Sequence, residues 1–136
     1  MLSEFIANAN WLAILVATLI YFVIGAVWYG VFAKPWMEAV GKTKEQLQGG
    51  SKLVYVYTFV YLLFICFILC GIICSMDIEG FGAGLELGLI ISIAFSAGTC
   101  AVNNMFAQRP LNLFLVDSGY HITGITIASI ILAIWK

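Results

Sequence analysis

Four long apolar runs, parted by short polar breaks, take up most of this 136-residue chain. They cover about 11–32, 53–76, 84–106 and 113–135. Each is near or above the roughly 20 residues a helix needs to cross a hydrocarbon core of ~30 Å. Lipid offers the backbone no hydrogen bonds, so runs of this length satisfy their own N–H and C=O groups as helices. The pattern predicts an all-α fold, an integral membrane antiparallel four-helix bundle, with residues 1–136 forming a single four-span domain. The connection 33–52 is too short to be a second domain, since a chain needs roughly 40 residues to fold without metals, disulfides or oligomerisation. Composition agrees, at 63% hydrophobic, 10% charged and a mean hydropathy of +1.07.

The polar segments carry their own structure. Met1, Leu2, Phe5, Ile6 and Ala9 recur at helical spacing, which suits either a short interfacial helix or a frayed start. The same stretch has no Lys or Arg and contains Glu4, unlike a cleavable signal peptide. In 33–52, Pro35 can open a helical turn with Trp36 and Met37, and Thr43-Lys44-Glu45-Gln46 has the form of a capping box. Gly49-Gly50-Ser51 then breaks the chain. We expect an interfacial loop holding a short helix along the inner leaflet. Lys34, Lys42, Lys44, Lys52 and Arg109 lie on one side and Lys136 on the other, so the expected orientation has both termini outside. Trp11 and Trp135 mark the outer ends, while Trp28, Tyr29, Trp36, Tyr55 and Tyr57 gather at the inner interface.

Small residues suggest how the helices pack. Gly84, Gly88, Ser92, Ser96, Cys100 and Asn104 follow one another at i,i+4 along the third span. Close backbone approach is what drives association in lipid, so this span is expected to be the central, most enclosed helix. The second span, rich in Leu, Ile, Phe and Val, suits a lipid-facing helix or an oligomer wall. Cys66, Cys70 and Cys74 stack at i,i+4 on it and Cys100 sits on the third span. That spacing fits small packing residues better than redox or metal chemistry.

Ionisable residues within spans are rare and costly. Asp117 and His121 are four apart and share one face of the fourth span. Depth counting from Arg109 brings Asn103 and Asn104 to the same level. Glu86, near the outer end and off the small-residue stripe, is expected to snorkel. The Asn103/Asn104/Asp117/His121 cluster is open to three readings. It could clasp helices three and four together, handle a proton, ion or solute, or form part of a metal or catalytic centre. No metal ligand set, haem pair or phosphate loop is readable, and the cofactor stays open. Net charge is −1 with no basic block, which argues against nucleic acid as a partner.

Two stretches resemble a known family. NWLAILVATLIYFVIGAVWYGVFAKPWMEAVG, with Trp28-Tyr29 and Lys34-Pro35-Trp36-Met37, is similar to the opening signature of the bacterial family called domain of unknown function 1761. NNMFAQRPLNLFLVDSGYHITG, with Arg109-Pro110, Asp117 and Tyr120-His121, resembles its closing signature. The resemblance implies a small four-span protein of the bacterial inner membrane, with Trp28, Tyr29, Trp36, Arg109, Asp117 and His121 in one shared architecture. It implies no activity. Where the family pattern has Ser-Pro after Trp-Tyr, this chain has Gly30-Val31.

Three functions stand open at this level. The leading one is a homo-oligomeric transport or channel-like protein that uses the Asn/Asp/His cluster. A second is an accessory subunit of a larger membrane complex. The third is a membrane enzyme acting on a lipid or quinone, with His121 as acid/base and no recognisable nucleophile motif. Membrane lipids are partners in all three.

Overall fold

The computed structural model describes residues 2–136. Met1 and the side chains of Leu2 and Glu4 lie outside that description, so the apolar stripe expected at the start is seen only at Phe5, Ile6 and Ala9. Helix α1 spans Leu2–Asn8, and α2, the first membrane span, runs Trp11–Val31. Two short helices, α3 (Ala33–Val40) and α4 (Lys44–Gln48), fill the long connection. The second span is α5, Leu53–Ser75. The third comprises α6 (Gly80–Ile91), a π-helical segment (Ser92–Ala97) and α7 (Gly98–Phe106). The fourth is α8, Leu111–Ile134. All four are long and apolar enough to cross a membrane. Among the described residues there is no strand, and the chain is an all-α, multi-pass membrane protein built as a four-helix bundle.

Local chemistry sets the boundaries. The Asn10 side chain caps α2 by accepting from the Ala13 amide at 3.0 Å, and its Nδ2 donates to the Trp135 carbonyl at 3.3 Å. The start of α2 is thereby tied to the end of α8. The expected capping box forms at Thr43 and Gln46. Its own backbone N–H and the Thr43 hydroxyl hold the Glu45 carboxyl below its usual range. Gly41 ends α3 in the left-handed conformation, at φ 74°, where a side chain would be strained. At the other end of the bundle Lys136 bonds Asp77 at 3.0 Å and Glu79 at 3.1 Å.

The packing corrects one expectation. The centre of the bundle is α8, which touches α2, α5 and the third span. Half of its core window is buried, against 17% for the third span, the least enclosed of the four. Small residues on the third span report close approach to one neighbour, not enclosure. A Cβ on Gly88 would stand 2.6 Å from the Thr126 Cα, and one on Gly84 2.9 Å from the Ile130 Cα. The other faces carry Ile90, Ile93, Phe95, Met105 and Phe106, all exposed.

The i,i+4 stripe also breaks. The π segment adds one residue to a turn, so the buried row runs Gly84, Gly88, Ser92 and then Ala97. Ser96 and Cys100 are only half-buried. On α5, Cys66 and Cys70 are buried and Cys74 is exposed. The inner row Leu62, Cys66, Leu69, Cys70 and Ile73 packs into the core beside Ala13, Ile14 and Ala17 of α2.

Candidate functional site

The face that α8 turns toward α2 carries Asp117, Tyr120, His121 and Gly124. Gly124 is needed there because a Cβ would overlap the Tyr21 ring. Gly119 makes the same room for Trp28, whose ring would meet a Cβ at 2.6 Å. Two aromatic side chains of the first span thus press into notches on the fourth.

Each ionisable group on that face finds an aromatic partner. The Asp117 Oδ1 accepts from the Tyr29 hydroxyl at 2.7 Å and from Trp36 Nε1 at 3.1 Å. His121 Nδ1 lies 2.6 Å from the Tyr21 hydroxyl. At the residue just before Asp117, Trp28 Nε1 donates to the Val116 carbonyl at 2.8 Å. The Tyr120 ring stands between the two tyrosines, its centroid 5.3 Å from Tyr21 and 5.4 Å from Tyr29. Two donors converging on one carboxylate oxygen offset part of the cost of removing it from water. Tyrosine is a different kind of partner, since its hydroxyl can donate or accept. It can hold the imidazole whichever nitrogen carries the proton.

Among the described residues Asp117 Oδ2 and His121 Nε2 carry no hydrogen bond, yet neither is one of the sealed, unpartnered polar atoms. Each group is therefore tied at one atom and not fully sealed at the other. Tyr29 and Trp36 also line a cavity of about 690 Å³ between α2, α5 and the α3–α4 segment.

The grouping differs from the one expected from depth. No hydrogen bond joins Asp117 to His121 among the described residues. Asn103 is exposed, and Asn104 is 7% exposed but bonds neither group, its Nδ2 lacking a partner. Both α7 and α2 pack against α8, but only α2 brings hydrogen-bonding side chains to the two groups. The clasp therefore joins the first and fourth spans, not the third and fourth. Arg109 is exposed at the turn after α7, apart from the cluster; its amide donates to the Asn104 carbonyl at 3.0 Å. Glu86 is exposed and off the packed face.

Trp28, Tyr29 and Trp36, expected as interfacial residues, also donate hydrogen bonds to the Val116 carbonyl and the Asp117 carboxylate. Tyr120 stands in the sequence only as part of the Tyr120-His121 signature, and Tyr21 carries no motif at all. The available signal was position, because Tyr21 lies mid-span, away from the headgroup level where tyrosine is usual.

A family model for proteins of unknown function matches residues 12–133. The chain belongs to the DUF1761 family. The match takes in all of the residues that build the DUF1761 protein's Asp117/His121 network. No curated protein and no solved structure matches this DUF1761 chain.

Proposed function

We propose that this DUF1761 protein is a small transport protein of the bacterial inner membrane, whose Asp117/His121 centre handles protons as a small ion or polar solute crosses. The observation that carries the reading is the half-tied state of both groups. Oδ2 of Asp117 and Nε2 of His121 are each left open beside a fixed partner atom. A purely structural clasp has no use for an unbonded, unsealed carboxylate oxygen and imidazole nitrogen on one face. Histidine is the side chain that changes charge near neutral pH. Tyr21 can follow that change by reversing its hydrogen bond, so a proton can be gained or lost with little rearrangement.

The centre lies within one subunit, between α2 and α8. Self-association would then shape the route to it rather than complete the ligand set. Reconstitution into vesicles tests the proposal. Solute or proton flux should depend on pH in the histidine range, fall at least tenfold in Asp117→Asn, and lose its pH dependence in His121→Asn. Folded protein that carries no flux under any imposed proton or ion gradient would overturn it.

A further inference from the structure

We propose that the cavity beside Trp36 binds one anionic amphipathic lipid, its acyl chain inside and its phosphate head among the loop lysines. The inference goes beyond the proton-handling reading and does not depend on it. The volume of about 690 Å³ falls within the roughly 300–1,000 Å³ of small-molecule sites. Along α2 the wall runs from Phe22 to Gly30, about 12 Å of helix axis. That is most of the ~15 Å depth of one leaflet's hydrocarbon. Small residues open the space, and a Cβ on Gly30 would have nothing within 4 Å.

The wall's chemistry selects the buried part of the occupant. Tyr29 and Trp36 spend their donors on Asp117, and the Thr58 hydroxyl donates to the Val54 carbonyl at 2.7 Å. Only the Tyr120 hydroxyl inside and Tyr55 on the exposed rim remain uncommitted among the polar side chains of the lining. A hydrocarbon chain needs no donors. A quinone, which wants one at each carbonyl, is offered a single donor in the interior.

Charge selects the head. Lys34, Lys44 and Lys52 are exposed, and each lies within three residues of a lining residue, namely Ala33, Leu47 and Val54. With Lys42, and against Glu38 and Glu45, the segment 33–52 carries four positive and two negative charges, a net of +2. An anionic headgroup at this rim gains what a zwitterionic one does not.

The test uses purified full-length protein in nonionic detergent. It is titrated with phosphatidylglycerol or with phosphatidylcholine of the same chains, and bound lipid is counted by native mass spectrometry. One saturable phosphatidylglycerol per chain is expected, held at least fivefold tighter than phosphatidylcholine, about the effect of one lysine near an anionic surface. Gly30→Phe fills the open space and should weaken saturable binding of both lipids more than tenfold, with helical circular dichroism unchanged. Ala26→Leu, on the same wall, should weaken both severalfold and serves if the first variant does not fold. Lys34→Gln with Lys52→Gln should erase the preference while keeping phosphatidylcholine binding. Equal affinity of the wild type for the two lipids would overturn the proposal. So would unaltered binding in whichever cavity variant folds, or displacement of phosphatidylglycerol by an equimolar short-chain quinone.

Discussion

Removing the Tyr29 hydroxyl isolates one hydrogen bond to Asp117. In Tyr29→Phe the ring keeps its contacts with Trp36 and Tyr120, at centroid distances of 5.6 and 5.4 Å. Only the 2.7 Å bond to Asp117 is lost. A hydrogen bond to a charged group in a water-soluble protein is worth about 1.5–3 kcal/mol. Polar contacts between membrane helices average ~0.6 kcal/mol and reach ~1.7. Asp117 keeps the Trp36 donor at 3.1 Å, so the loss should fall near the top of the membrane range, ~1–1.5 kcal/mol. Unfolding in mixed micelles, followed by helical circular dichroism, measures it. The background-free quantity is the coupling in a cycle with Asp117→Ala, expected at about 1 kcal/mol. A coupling under about 0.3 kcal/mol would show that the tyrosine and the carboxylate do not sense one another, and the account of the site would be wrong.

Four further outcomes are expected. Gly88→Leu should destabilise the bundle by at least ~2 kcal/mol through overpacking against Thr126, whereas Ile90→Leu, on an exposed face, should change stability by under ~0.5 kcal/mol in the same micelle assay. Deleting the exposed Ala94 should be tolerated, because losing one residue turns the π segment into regular helix and keeps Ala97 and Asn104 on the packed face; loss of folded protein in gel filtration would contradict this. Burial alone would lower the Lys136 ammonium, but its bonds to Asp77 and Glu79 outweigh that and hold it above its ordinary value of 10.5, so the tie stabilises below that pH and is lost as pH rises through the raised value; Lys136→Gln should cost stability at neutral pH and nothing in strong alkali. A cysteine placed at Thr43 should label only from the cytoplasmic side of intact cells, and labelling from outside would reverse the orientation expected from the lysines.

The spans were legible because membrane thickness fixes their length and lipid forces the backbone into helices. The Thr43 capping box was legible for the same kind of reason, since its chemistry is local. What failed needed the third dimension. Counting residues from Arg109 gives the depth of Asn104 but not the side of α8 on which it lands. The i,i+4 rule passes over Ser96 without a signal that one extra residue has turned Ala97 inward. The resemblance groups Trp28, Tyr29 and Trp36 with Asp117 and His121, but nothing along the chain says which bonds they make, or that Gly119 leaves a notch for one of them. Nor does the chain announce that it bends at Phe32, just after Gly30-Val31, and brings another back over Asp117.

Trp36 belongs to two things at once. Its indole N–H is a ligand of the Asp117 carboxylate and its ring is a wall of the cavity. A molecule that enters the cavity and shifts the ring alters the donors on Asp117, and a change of charge on Asp117 alters the pull on the ring. Such a shared element makes the occupancies of cavity and carboxylate linked quantities. Thermodynamics requires the linkage to be equal in both directions. If filling the cavity changes proton affinity at Asp117 by some factor, protonation changes the affinity of the cavity by that same factor. Helix α3, short and packed against both α2 and α8, is the arm through which this exchange would act.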